Sequence, residues 1–568
     1  MTKTKPQQKH WSVKPVPPES FAKKFSHLPI LTRQLLWNRN ITESAIIEDF
    51  LNPDYQKHVH SPFLFRHMKQ ASERIEKAIA SGEKITVFGD YDADGVCGAA
   101  VMCKFLKLVN ANHDVFIPDR NREGFGMSLQ KIRDFHETGT KVLITIDCGV
   151  TDYDEIELAN SIGMDVIVLD HHVVPPKWPN AFAIIDHKHP DETYPERVLS
   201  GAGLSFKMVQ ALIGSGKFNV PAGWEKWLLD IVAIAAVADM VPLTGENRAL
   251  VKYGLMVLRK TKHPGLRELF RLRGDNPVNA DVETISHFIA PRINAASRMD
   301  HADTAFNLLT TENEEEARWL AGRLEEKNEE RKRVVEDILN DLTTKLAAAK
   351  PASIIFEGSS EWPAGVLGLA ATRLVEAYQR PVFLYAMNSE LVKGSCRAPT
   401  GTNVMELMSK TGEFFSDFGG HTLAGGFSTI PEHLPMLKEK LELAGNEIEK
   451  TQKPAIDADA ELSLDEVGEI TYELVKTLEP FGQGNPRPLF IIRNAKIADL
   501  RKVGADGAHL KMKLGPRYLG AIYFKAGENN FKTGDTVDVA AELQKNTWNG
   551  VQNIELRVVD AKLAIDSY

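Results

Sequence analysis

Three carboxylates, Asp90, Asp92 and Asp94, occupy alternate positions in V-F-G-D-Y-D-A-D-G, residues 87–95. On an extended segment alternate side chains point the same way. Three ionised acids side by side repel one another, and a divalent cation held by oxygen ligands is the usual relief. An acidic, Gly-rich turn facing water has the same pattern. The distinction rests on whether other elements bring ligand-type residues to the same edge.

The apolar run Ile85–Phe88 before the acids reads as a strand, and the small residues Gly98–Val101 after them read as a helix. From 84 to 240 short apolar runs alternate with helical patterns. The runs are Ile85–Phe88, Asp114–Ile117, Val142–Ile146, Val166–Leu169 and Phe182–Ile185; the helices include Tyr153–Ser161 and Leu204–Ile213. Such alternation predicts a parallel or mostly parallel sheet with helices on both faces, with ligands beyond the C-terminal strand ends. Further runs do end in ligand-type residues: Asp147-Cys148-Gly149, Asp170-His171-His172, and Asp239 after the helical run Trp227–Ala238. Carboxylates with imidazole suit a pair of Mn²⁺ or Mg²⁺ ions. Asp147, at a central strand end, is the candidate to bridge them.

Elsewhere the loop 118–126, P-D-R-N-R-E-G-F-G, offers paired arginines able to fork onto phosphate oxygens. In P-R-I-N-A-A-S-R-M, Asn294 and Arg298 stand four apart and share a helix face. The stretch 312–350 reads as one long connecting helix whose centre, 327–333, is polar all round, as in a helix bridging two domains through solvent. Residues 352–450 read as a second α/β unit with two Gly-rich signals, Gly394–Pro399 and Gly419–Gly426, where close backbone approach and free N–H groups suit an anion. The last hundred residues are short strands separated by turns, a small β-barrel. Within 486–532 ten Lys/Arg face three Asp/Glu, interleaved with Phe490, Tyr518, Tyr523 and Phe524. Basic grooves with stacking rings hold single strands.

The chain as a whole has 568 residues, 43% hydrophobic, with a formal charge of -9. That size accommodates several domains, and the charge argues against a general nucleic-acid coat while allowing a local basic groove. The four cysteines form no C-x-x-C pair, as expected of buried thiols in a reducing compartment. The N-terminus lacks an apolar signal core and no run is long enough to span a bilayer, so a soluble, cytoplasmic protein is expected. Residues 1–80, a Pro-rich polar lead followed by amphipathic stretches, show no chemistry, and a packing or entry-shaping role is the default for them.

D-Y-D-A-D-G, T-I-D-C-G-V, L-D-H-H and A-V-A-D-M-V-P-L, in this order and spacing, resemble the DHH phosphoesterase superfamily and, within it, the RecJ family of single-strand-specific DNA exonucleases. The resemblance implies metal ligation by Asp92, Asp94, Asp147, His171 and Asp239, with Asp90 as a further ligand. It implies that His172 contacts the phosphate or protonates the leaving oxygen. Several DHH enzymes carry a metal-binding His at the position of Phe88; Asp90 is the candidate substitute. Arg120 matches the phosphate-binding arginine of P-x-R-x-x-E-G-Y-G, with Phe125 in place of the Tyr. Arg298, with Asn294, matches a motif that meets substrate phosphates. G-G-H-x-x-A-G-G matches the DHH-associated domain, from which Ser395, Arg397 and His421 carry over as substrate-binding. The barrel matches an oligonucleotide-binding (OB) fold, with Arg501, Lys502, Lys511 and Lys513 as its groove.

The implied organisation is an N-terminal extension (1–70), a mostly parallel α/β DHH core (71–311), a connecting helix (312–350), an α/β DHH-associated domain (351–450) and an OB-type barrel (451–568). The implied activity is 5′→3′ hydrolysis of single-stranded DNA to 5′-mononucleotides in recombination and repair, with two Mn²⁺ or Mg²⁺ ions, by a monomeric enzyme whose partners are single-stranded DNA-binding protein and a helicase. Other DHH hydrolases, acting on pyrophosphate, oligoribonucleotides or cyclic dinucleotides, share the ligand set but need no basic barrel. A non-enzymatic strand-binding protein needs no intact ligand set.

Overall fold

The computed structural model describes residues 10–120, 122–172, 177–348, 352–387, 391–447, 455–504, 506–548 and 551–564. The polar lead 1–9 and Asn121 of the arginine loop lie outside the described residues. The described chain starts with a strand, β1 (His10–Val13), and forms two compact units. One comprises residues 60–241 and 253–451; the other comprises 1–59, 242–252 and 452–568.

The first unit is built on a five-stranded sheet of β2 (Lys84–Gly89), β3 (His113–Phe116), β4 (Thr140–Ile146), β5 (Asp165–Leu169) and β6 (Ala183–Ile185) in the order β3-β2-β4-β5-β6. Every pairing is parallel, as the alternation requires. Strands β2, β4 and β5 are almost wholly buried, so their apolar runs are continuous. The order reverses at β2, which puts a crevice at the C-terminal ends of β2 and β4. Helices α1 (Ala93–Leu108), α2 (Gly201–Gly214) and α3 (Leu229–Ala238) pack beside it. The run expected as one helix from Trp227 begins as a 3₁₀ turn, Trp224–Leu228, before α3.

Helix α4 (Ala290–Met299) precedes the long α5 (Glu314–Ala348). With 35 residues, α5 spans about 52 Å. It is not a solvent bridge. Ala317, Leu320, Ala321, Leu324, Val335, Ile338 and Leu342 form a buried stripe, and the last three share a core with α6 (Ala364–Tyr378). Even Asn328, inside the polar centre, is buried. The second sheet has the order β10-β11-β9-β8-β7, from β7 (Ile355–Ser359), β8 (Val382–Met387), β9 (Val392–Arg397), β10 (Asp417–His421) and β11 (Ala424–Thr429). The motif G-G-H-x-x-A-G-G is the tip of the β10–β11 hairpin, with Gly419 opposite Gly426 and Gly420 opposite Gly425. Ladder pairing occupies part of the backbone expected to be free for an anion; the other edge of β10 is unpaired in the sheet.

In the second unit β1 pairs in parallel with β12 (Ala455–Ala458). After a two-residue β13 (Ala460–Glu461), strands β14 (Phe490–Val503), β15 (His509–Leu514), β16 (Leu519–Tyr523), β17 (Thr536–Trp548) and β18 (Val551–Leu563) close into a five-stranded barrel through the β14–β17 pairing. N-terminal side chains Phe21, Phe25, Leu35, Leu36, Ile47 and Phe50 join the same core as Leu478, Phe490, Leu514 and Val537. Arg248, from the short middle segment, is fully buried; its guanidinium donates to the carbonyls of Phe50, Leu478, Glu479 and Pro480.

Candidate metal centre

The carboxylates are delivered by backbone continuation of the parallel ladders. Asp90 N–H donates to the Ile146 carbonyl at 3.1 Å, and Asp147 N–H to that of Leu169 at 2.9 Å. Asp92 caps α1, its Oδ1 accepting from Asp94 and Gly95 N–H at 2.8 and 3.2 Å. Asp94 points back at α2 and accepts from Gly201 and Ala202 N–H at 2.6 and 2.8 Å, a helix N-terminus favouring negative charge. A Cβ at Gly95 would lie 2.4 Å from the Asp90 carbonyl oxygen, and one at Gly201 would lie 2.8 Å from Asp147 Cβ. These two glycines let the acid-bearing loops close on each other.

Three sets of ligand atoms each fall within 4.8 Å of one another: Asp90, Asp92 and Asp147; Asp94, His171 and Asp239; Asp147, His171 and His172. Asp147 and His171 each belong to two sets. His171 Nε2 lies 2.9 Å from Asp147 Oδ1, 3.5 Å from Asp94 and 3.7 Å from Asp239. Burial, followed by the charges of the neighbouring aspartates, pushes Asp94 up to about 7 and Asp239 to about 8, and raises Asp90 and Asp147 well above the usual range. Burial holds His171 down at about 4, a neutral imidazole. Asp90 Oδ1 is buried without a hydrogen-bond partner. An oxygen-and-imidazole donor set with an orphaned carboxylate oxygen fits hard divalent cations. Phe88 packs in the apolar core of the sheet, bringing no ligand.

Burial disfavours the charged form of His172, but its bond to Asp170 and the charges of Asp170, Asp92 and Asp90 outweigh it and hold it at about 9. His172 Nδ1 lies 2.8 Å from Asp170 Oδ1, which also accepts from the N–H groups of His171 and His172. Sequence reading counted Asp170 among the strand-end residues but gave it no role, and it passed over Ser200, whose hydroxyl accepts from Gly203 N–H and caps the helix that holds Asp94. The Ser-Gly-Ala-Gly start of α2 was the available signal.

Arg120 lies over the Tyr91 ring at 4.8 Å, and the exposed Phe125 ring meets His172 edge-on at 5.3 Å. Asn294 Oδ1 accepts from Ala93 N–H at 3.0 Å, so it steadies the acid loop. Arg298 donates to the Gly365 carbonyl at 2.8 Å, and burial, then Arg120, Arg331 and Arg397, lowers it to about 9. Arg397 lies against Gly368 of α6. Arginines from four elements thus crowd together. Ser395 lies on β9 and exposed His421 at the end of β10; among the described residues neither bonds to the carboxylates.

The barrel residues lie in the other unit. Arg501 pairs with Lys511 across β14–β15 and Asp499 with Lys513, so Arg501, Lys511 and Lys513 share a face. Lys502, opposite the buried Leu510, projects to the other face. Phe490 is core and offers no stacking surface; Tyr518 and Phe524 are exposed.

A parallel sheet whose strand ends converge acids and paired histidines on one crevice defines the DHH class of phosphoesterases. Family models match the DHH N-terminal domain over residues 84–236, the DHHA1 domain over 350–447 and the RecJ OB domain over 458–560. The chain is 34% identical over 547 residues to the single-stranded-DNA-specific exonuclease RecJ of Bacillus subtilis, covering 95% of this chain and 68% of that one. The crystal structure of RecJ from Thermus thermophilus in complex with Mn²⁺ matches with a TM-score of 0.82 at 29% identity, over 97% of this chain and 79% of that one. Its Mg²⁺ complex matches at 0.76 and 28%, over 97% and 78%. The chain belongs to the RecJ family.

Proposed function

We propose that the chain is a divalent-cation-dependent exonuclease that hydrolyses single-stranded DNA from the 5′ end to 5′-mononucleotides, in recombination and repair. The carrying observation is the sharing of Asp147 and His171 between adjoining ligand sets in a buried acid cluster. Two Mn²⁺ or Mg²⁺ ions on Asp90, Asp92, Asp94, Asp147, His171 and Asp239 would supply a water of lowered pKa and polarise the phosphodiester. Asp147, common to two sets, would be the carboxylate shared by both ions. Arg120, Arg298 and Arg397 bind phosphate oxygens and offset charge that grows during displacement. His172, charged to about 9, faces the same oxygens and can give a proton to the leaving one. Asp170 fixes its ring and charge, and Asn294 steadies the acid loop.

Ser395 and His421 meet the strand from the hairpin domain, and Arg501, Lys511 and Lys513, with Lys502 less directly, hold it on the barrel. Among the described residues no helix is long and apolar enough to cross a membrane. A cytoplasmic monomer acting with single-stranded DNA-binding protein and a helicase completes the reading.

The test uses 5′- and 3′-labelled single strands, blunt duplex and RNA of one sequence, with Mn²⁺, Mg²⁺ or EDTA. Mononucleotides are expected from the 5′ end of single-stranded DNA only, and only with a divalent cation. Loss from the 3′ end reverses the polarity, equal rates on duplex remove the strand selectivity, and turnover in EDTA removes the metal.

A further inference from the structure

The two arginines of the loop 118–126 are held differently. The Arg122 side chain is 87% exposed and lies 3.9 Å from Asp119, so it faces solvent beside a carboxylate that matches its charge. Among the described residues Arg120 makes neither an ion pair nor a hydrogen bond; its guanidinium lies over the Tyr91 ring, 4.8 Å from the centroid. The loop backbone is fixed by other means: Asp119 N–H donates to Glu123 Oε2 at 2.7 Å, and Met127 N–H to Asp152 Oδ2 at 2.9 Å. The ring therefore places the arginine side chain and not the loop.

What holds an arginine decides what it has left to give. Arg292 spends Nε and Nη2 on Glu325 at 2.6 and 2.9 Å, which uses its fork and cancels its charge. Arg298 and Arg397 each spend an Nη1 on a carbonyl, of Gly365 at 2.8 Å and of Cys396 at 2.7 Å. An aromatic face steadies a cation through its quadrupole. It leaves the charge whole and the N–H donors unspent, so the fork stays ready for phosphate oxygens. Tyr91 also stands between Asp90 and Asp92 in the chain, and both of these share a ligand set with Asp147. A guanidinium resting on that ring keeps a fixed offset from the acids, although it comes from a different loop.

We propose that Tyr91 is the positioning residue for Arg120: its ring face holds the guanidinium beside the metal loop with every donor free for the phosphate. This deepens the nuclease reading above and rests on it. Tyr91 acts through Arg120 and by its ring, so phenylalanine should replace it and an aliphatic side chain should not.

The test is a double-mutant cycle. Tyr91→Phe, Tyr91→Leu, Arg120→Gln and the double variant Tyr91→Leu/Arg120→Gln are compared with wild type. The readouts are the Kd of 3′-fluorescent dT15 in EDTA, kcat/KM on dT15 with Mn²⁺, and the Mn²⁺ concentration giving half the maximal rate. Tyr91→Leu should weaken binding and lower kcat/KM roughly 10-fold, the size of a partly desolvated cation–π contact. Tyr91→Phe should stay within about 2-fold of wild type, and Tyr91→Leu should cost less than about 2-fold once Arg120 is Gln. The Mn²⁺ requirement of Tyr91→Leu should be that of wild type. Equal losses from Tyr91→Leu with and without Arg120, or no loss at all, overturn the proposal. So does a loss that excess Mn²⁺ repairs, which would place the role in the metal loop, or a Tyr91→Phe as impaired as Tyr91→Leu, which would place it in the phenol. A wild-type protein that binds dT15 but does not cleave it overturns the nuclease reading, and the cycle in Kd then decides the role of Tyr91 alone.

Discussion

Asp147 holds a left-handed backbone conformation, φ 63°, in a buried crevice. For a residue other than glycine that costs about 1–3 kcal/mol and persists where the surroundings impose it. The crowded acids add an electrostatic strain with a pH signature. Asp94 and Asp239 keep their protons to about 7 and about 8 when folded, against an ordinary value of 3.8. The folded state therefore binds more protons in this window, and stability falls as pH rises through it. His172, held at about 9 against 6.5, acts in the same direction, while His171 and His187, lowered by burial, are neutral in both states above about 6.5. Metal-free protein should lose Tm between pH 6.5 and 8, and Mn²⁺ should raise Tm by an increment that grows with pH; a flat metal-free Tm refutes the account. A second prediction concerns Asp170. In Asp170→Asn, His172 loses the carboxylate that keeps it charged, so kcat should drop about 100-fold or more and the alkaline limb of its pH profile should move to lower pH. A drop with an unmoved limb would mean that Asp170 serves only structure. The acids were legible in the sequence because parallel strands must end on one edge. Asp170 was not, because its role is a hydrogen bond to a neighbour two residues on, and strand-end acids are commonly turn residues.

The elements show where periodicity misleads. In α5 the polar centre 327–333 suggested solvent on all sides, yet the buried residues before and after it continue one stripe, and Asn328 lies on it. Glu and Lys on the exposed faces masked the apolar spacing. In the barrel, counting charges over a segment could not say which face they share; strand register does. Arg501, Lys511 and Lys513 face one way and Lys502 the other. Changing the first three to Gln should make the salt slope for a long single strand shallower by about 2, at 0.7 per phosphate contact, whereas Lys502→Gln alone should alter it little. Equal effects per residue would show that the strand does not follow this face. The Gly-rich hairpin was recognised by composition, but its glycines pair with each other across β10–β11, a pairing no local pattern shows.

At the scale of the molecule, one compact unit draws on three separate segments, 1–59, 242–252 and 452–568. No chemistry marks the first, and β1 finds β12 across more than four hundred residues, so linear reading could give the segment only a default packing or entry-shaping role. Packing is what it does: Phe21, Phe25, Leu35 and Phe50 are buried against the C-terminal segment. A chain ending at residue 451 should thus expose these side chains and aggregate or bind a hydrophobic dye, while a chain spanning 60–451 should do so less. Equal solubility of the two would separate the N-terminal helices from that core. The same interleaving bears on synthesis. The helices of the first segment leave the ribosome well before their partners, which follow only after about 400 more residues; at about 5–20 residues per second that is roughly 20–80 s. During that interval the nascent chain carries an unmatched apolar surface. Holding factors acting on the growing polypeptide, and the pace of translation, would then govern the yield of active protein as much as the finished fold's stability.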